Sequence, residues 1–167
     1  MPPFPKLVPG QVQPALVADE LAIRRVLAAN EQAITDNDVE TYTNTFAPDA
    51  HVKWWDREVT GRAAVGDYFR EQQGKEVLRD VLVNLVVQIA GDEATTTGSA
   101  LVIRAGKSPA QLLATATVLS TLRRTDSVWL IQQQEKRADP SFDVKLGALS
   151  DVVERLTKRV EELEKGR

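Results

Sequence analysis

Apolar and polar positions along this chain follow two periods, and the change from one to the other divides it. Between residues 20 and 34 the apolar side chains recur at helical spacing. Ile23, Val26, Leu27, Ala33 and Ile34 form one stripe, which Asn30 interrupts as a polar residue. Asp19 stands where it can cap that helix. Thr35-Asp36-Asn37-Asp38 breaks the pattern, and a second, short helix is expected from Val39 to Phe46 with Asp38 as its cap. Pro48-Asp49 turns the chain into a strand from His51 to Trp55. Thr60-Gly61-Arg62 leads into a helix over Ala63 to Gln73, with Val65, Tyr68 and Phe69 on its apolar side. Period two then takes over. Leu78 to Ala90, Ala94 to Arg104, Gln111 to Arg124 and Val128 to Arg137 read as strands, separated by Gly91-Asp92, Gly106-Lys107-Ser108-Pro109 and Thr125-Asp126-Ser127. The order predicts an α+β fold, with helices packed on one face of a curved, mostly antiparallel sheet.

The two ends differ from this middle. Residues 1–14 hold five of the eight prolines, which removes donors and fixes φ, so an extended arm is expected there. In the tail, Leu146, Leu149, Val153, Leu156, Val160 and Leu163 are spaced alternately by three and four. Glu154, Arg155, Lys158, Arg159, Glu161 and Glu162 flank this heptad seam. The expected organisation is an arm over 1–14, one domain over 15–140 and an amphipathic helix over 141–167. That helix either packs on its own domain or pairs between subunits.

Composition narrows the function classes. A length of 167 residues with 43% hydrophobic suits one domain with a real core. The net charge of −3 comes from mixed signs, and no basic patch argues for nucleic acid. No apolar run approaches the roughly 18 residues of a membrane helix. The start, Met1-Pro2-Pro3-Phe4-Pro5-Lys6, lacks the apolar core of a secretory leader, so a cytoplasmic protein is the expectation. The absence of cysteine excludes disulfides and thiolate–metal sites, and a single histidine excludes a multi-histidine metal site. A carboxylate site for a hard cation stays open. No phosphate-binding loop or Gly-x-Gly-x-x-Gly motif is present, and no cofactor is expected.

Several short segments, in order, resemble the SnoaL-like and scytalone-dehydratase-like branch of the nuclear transport factor 2-like superfamily. They are Asp19-Glu20-Leu21-Ala22-Ile23-Arg24, Asp36-Asn37-Asp38-Val39, Phe46-Ala47-Pro48-Asp49-Ala50 and Thr60-Gly61-Arg62-Ala63-Ala64-Val65. Asn84-Leu85, Gly91-Asp92-Glu93-Ala94 and Arg123 to Ile131 follow. The resemblance covers about residues 15–138. It implies a cone whose sheet and helices enclose a hydrophobic pocket, and a homo-oligomer, dimeric or higher. The family includes polyketide cyclases, dehydratases, isomerases and non-catalytic binders, so fold does not settle function.

The resemblance also points to residues. In the dehydratase-like branch an aspartate after the first helix orients a histidine on the sheet. Asp36 resembles that aspartate, and Asp80 stands where the histidine would be. If both face the pocket, like charges in a poorly solvated space raise one pKa, and the pair can act as general acid and base. The alternative is that Asp36 caps the second helix and Asp80 pairs with an arginine. Alternation puts Asp80, Leu82, Asn84, Val86 and Gln88 on one strand face. The lone His51 is expected to point outward with Lys53, while Val52 and Trp54 face the pocket. Asn30, Trp54 and Leu119 match the catalytic places of ketosteroid isomerases without their chemistry, so that mechanism is not expected. Nor is there an Asp-Arg-Asp set of the limonene-epoxide-hydrolase kind. Trp54 is a candidate pocket wall, Tyr42 and Tyr68 candidate donors to a carbonyl, Asn84 a stabiliser of negative charge, and Asn30 and Gln134 polar ligand contacts. The expected function is a cofactor-independent lyase, isomerase or cyclase acting on a small apolar carbonyl compound. The alternative is a non-catalytic ligand-binding or oligomeric assembly module.

Overall fold

The computed structural model describes residues 14–54, 57–73, 77–105 and 111–139 and, in the tail, 156, 157 and 159. The proline-rich arm up to residue 13 and nearly all of the heptad tail lie outside these. The elements run α1 (Pro14–Asp36), α2 (Val39–Asn44), β1 (Phe46–Trp54), β2 (Arg57–Thr60), α3 (Arg62–Gln72), β3 (Val77–Ala90), β4 (Glu93–Ala105), β5 (Gln111–Thr125) and β6 (Val128–Ala138). The sheet order is β2-β1-β6-β5-β4-β3, antiparallel throughout except where β1 runs parallel to β6. The sheet curls without closing, leaving β2 and β3 as edges, and the helices pack on its concave face. This is the α+β arrangement expected from the pattern and the cone implied by the resemblance. No helix among the described residues is long and apolar enough to cross a membrane.

The boundaries differ in instructive ways. α1 begins at Pro14, a residue suited to a first turn because its missing donor is not needed there. Asp19 therefore lies inside the helix and does not cap it. Its carboxylate accepts from Arg124 at 2.8 and 3.0 Å and from the Trp129 indole at 3.0 Å. Arg124 also reaches Asp92, so one guanidinium near the end of β5 ties α1 to the turn that follows β3. Asp38 does cap α2, accepting from the Thr41 amide at 3.0 Å. Phe46 belongs to β1 instead of α2. β2 was not expected, because Arg57-Glu58-Val59-Thr60 offers a single apolar residue; it forms as an edge by pairing with β1.

Two bulges decide which residues reach the interior. Val83 pairs with Ser99 and Val86 with Thr97, so Asn84 and Leu85 together oppose Gly98. Asn84 takes φ of +54°, a left-handed conformation that asparagine tolerates. Strict alternation along β3 is thereby broken: after Leu82 it is Leu85, Val87 and Ile89 that pack on the core. Asn84 itself is exposed. The second bulge is in β6, where Leu122 pairs with Ile131 but Thr121 with Gln133. Gln132 is the extra residue, so Gln134 and Lys136 face inward.

Gly98 has no room for a side chain opposite the first bulge. A Cβ there would lie 2.8 Å from Leu82 Cδ1 and 3.2 Å from the Val83 carbonyl oxygen. Leu82 can shift, but the carbonyl cannot without disturbing the ladder. Gly98→Ala is expected to lower unfolding free energy by about 1–3 kcal/mol, read by urea denaturation. Unchanged stability would show that the bulge yields.

Candidate active site

Directly opposed residues of neighbouring strands share a face, so the concave surface can be read as rows across the sheet. Ala94, Leu122 and Ile131 make an apolar row over β4, β5 and β6, and all three are buried. The next row is different: Val52, Gln134, Ser120, Thr96 and Val87. Three of these five are polar, and all three are buried. The row after that holds Trp54, Lys136, Val118 and Gly98. Beyond it lie Ala116, Ala100 and Leu82, and then Ala114, Val102 and Asp80.

Lys136 and Asp80 stand on strands three places apart, roughly 14 Å in a flat sheet. The curl of the cone and the small side chains of Gly98, Ala100 and Ala116 let the lysine reach over. Its ammonium donates to Asp80 Oδ2 at 2.6 Å and to Glu31 Oε2, from α1, at 3.3 Å. All three side chains are shielded from solvent, at 4, 10 and 7% exposure for Lys136, Asp80 and Glu31. Burial works to lower the Lys136 pKa, but the charges of Glu31 and Asp80 outweigh it and the ammonium is held above its ordinary range. Glu31 goes the other way relative to its own charged form. Burial raises its pKa most, the Asp80 charge adds to the rise, and Lys136 only partly opposes them. Burial beside Asp80 thus favours the acid form of Glu31 more than at an exposed glutamate. Its second oxygen, Oε1, has no protein partner. Glu31 and Asp80 both line a cleft of about 450 Å³ between α1 and β3, walled by Leu27, Ala28, Leu82 and Leu85.

The residues singled out from the sequence separate clearly. Asp80 faces inward, paired with a lysine and not with an arginine. Asp36 is exposed at the end of α1, where it accepts from Gln32 Nε2 at 2.9 Å. It neither caps α2 nor joins Asp80, so the expected carboxylate pair is not assembled; Glu31 takes the second carboxylate's place. Asn84, on its bulge, is exposed and faces away from Asp80's neighbours. Asn30 is fully buried and donates to Thr45 Oγ1 at 2.8 Å, leaving its Oδ1 without a protein partner. Tyr42 is core: it stacks on Phe69 at 4.4 Å and meets Phe46 edge-on at 5.2 Å. Burial above all raises its pKa, within electrostatic reach of Lys136 and Glu31. Trp54 is buried beside Lys136 in register and stacks on Tyr68 at 4.5 Å, while Arg57 lies over the other ring, Tyr68, at 5.1 Å. Gln134 is buried with neither amide atom partnered by protein, and the same holds for Ser120 Oγ. His51 points outward, its Nε2 2.7 Å from Glu58. No cluster of three metal-ligating side chains occurs among the described residues.

Glu31 and Lys136 were not anticipated, although each left a trace. Glu31 follows Asn30 and stands four residues after Leu27, so it falls on the apolar stripe of α1. Lys136 stands two residues after Gln134 and so shares its strand face.

The model of the SnoaL-like domain matches residues 15–135. No curated protein matches the chain. Among solved structures, a protein of unknown function with a cystatin-like fold from Nostoc punctiforme superposes with a TM-score of 0.69 at 24% identity, covering 75% of this chain and 94% of that one. A candidate scytalone dehydratase from Novosphingobium aromaticivorans gives 0.68 at 19% identity, over 77% and 89%. ActVI-ORFA from Streptomyces coelicolor gives 0.65 at 17%, over 74% and 98%. At these identities the structures establish the fold.

Proposed function

The chain belongs to the SnoaL-like domain family, and from that premise we propose that it is a cofactor-independent acid–base catalyst, a lyase, isomerase or cyclase acting on a small, largely apolar carbonyl compound. The observation that carries the reading is the buried Glu31–Lys136–Asp80 group opening on the α1–β3 cleft. Asp80 removes a proton from carbon next to the carbonyl. Protonated Glu31 delivers a proton to the departing hydroxyl or to the rearranged carbon, and the Lys136 ammonium offsets the negative charge that develops. Trp54 supplies an aromatic wall, and Gln134 and Asn30 supply uncharged polar contacts. A homo-oligomer is part of the proposal.

The test needs no knowledge of the natural substrate. A panel of small aryl ketones in D2O is followed by NMR for exchange of the protons next to the carbonyl. The wild-type protein should accelerate exchange for some members, and Asp80→Asn, which removes the base, should abolish the acceleration. No acceleration across the panel would favour the second reading, a non-catalytic ligand-binding or assembly module. One observation supports that alternative: Lys136 occupies an oxygen of the carboxylate that would act as base.

A further inference from the structure

In the polar row beside the charged group, Ser120 and Gln134 have no hydrogen-bond partner in the protein. Thr96, Ser120 and Gln134 cross the middle of a concave face whose preceding row, Ala94, Leu122 and Ile131, is wholly apolar. Filling the cone would need only aliphatic side chains there. Instead Gln134, at 2% exposure, holds both its carboxamide oxygen and its nitrogen without a protein partner, and the Ser120 hydroxyl directly across the ladder is in the same condition. Unmet groups at this depth are costly unless something binds them. A glutamine amide presents a donor and an acceptor side by side in one plane. Its best complement is an acceptor and a donor side by side in one plane.

Charge narrows the ligand further. The adjoining row contains Lys136, whose ammonium is already shared between two carboxylates. Among the described residues no other cation stands on these rows of β1, β6, β5 and β4 to receive an anion, and an anionic ligand would add a third negative group to a buried site. Trp54, next to Lys136 in register, places an aromatic ring at the same level.

Resting on the acid–base reading of the same site, we propose that Gln134, with Ser120, forms a specificity subsite for neutral, planar ligands that carry an N–H or O–H donor beside a carbonyl, as in a lactam or an enolised 1,3-dicarbonyl. Gln134 pairs with that edge through two coplanar hydrogen bonds. Ser120 satisfies the remaining lone pair of the ligand's carbonyl.

Three two-ring probes of similar size test this on the full chain, with affinity measured by calorimetric titration. 2-Quinolinone has the donor–acceptor edge, quinoline only an acceptor, and 1-naphthoate a negative charge. 2-Quinolinone should bind at least about ten-fold tighter than either, and Gln134→Leu should remove that preference. The leucine fills similar space and deletes two unpartnered polar atoms, so the variant is expected to fold; thermal melting confirms it. Equal affinities, a preference that survives in Gln134→Leu, or no binding by any probe would each overturn the proposal, the last leaving the row to water. The readout is binding alone. Loss of proton exchange in Asp80→Asn with an intact quinolinone preference would support both readings. Equal probe affinities in the wild type with intact exchange would sink only this one.

Discussion

Lys136→Met is expected to lower the unfolding free energy by about 3–5 kcal/mol near neutral pH, the usual cost of removing one partner from a buried ion pair. Methionine matches the volume, so packing changes little. What changes is the charge: Glu31 and Asp80 lose the ammonium that each contacts at 3.3 and 2.6 Å. The loss should shrink on acidification, and the sign follows from the native state. The Glu31 pKa is raised above the ordinary value of 4.5, by burial first, so its contribution to stability is present below that value and is lost as pH rises through the folded pKa. Without Lys136 the strongest opposing influence is gone and the folded pKa moves higher still. Unfolding in urea at pH 5 should therefore show a smaller difference between wild type and variant than at pH 7.5. A loss of less than about 1 kcal/mol, or one independent of pH, would mean that the three groups are not coupled as their distances imply.

Glu31→Gln should reduce turnover by about 10²–10⁴-fold, the range for losing a positioned general acid or base. The amide keeps an oxygen for Lys136, so the fold should persist while the transferable proton is lost. Because burial and the Asp80 charge hold the Glu31 pKa up, its acid form lasts to higher pH than an exposed glutamate's. The wild-type rate should fall as pH rises through that raised value, and this limb should be missing from the residual activity of the variant. Asp36→Asn, at an exposed site, should leave turnover unchanged. The pH dependence of kcat/KM for any ketone that the wild type turns over reads all three. Wild-type turnover in Glu31→Gln would remove it from the mechanism.

The local parts of the fold were legible because local patterns cause them. The stripe from Ile23 to Ile34, the Asp38 cap and the period-two runs from Leu78 onward each follow from neighbours in sequence. Alternation puts His51 and Trp54 on opposite faces of β1, and the resemblance supplied which face is inward. Alternation failed where a strand bulges: Asn84 and Gln132 are extra residues, and whether a strand carries one depends on its partner strand. The resemblance placed Asp80 inside correctly, yet its partner is 56 residues away on β6, and only the curl of the sheet joins them. Asp36 looked like the second carboxylate by its place after the first helix. The helix instead ends with that side chain in solvent, and one and a half turns earlier it presents Glu31 to the interior.

The central claim is that burial, with the Asp80 charge beside it, raises the Glu31 pKa. Carbon-13 NMR titration of the Glu31 carboxyl, in wild type and in Asp80→Asn, measures this directly. The account predicts a Glu31 pKa above the ordinary value of 4.5 in the wild type, and a lower one in Asp80→Asn, where the second negative charge is gone. A Glu31 that titrates at or below 4.5, or one that ignores the loss of Asp80, would contradict it.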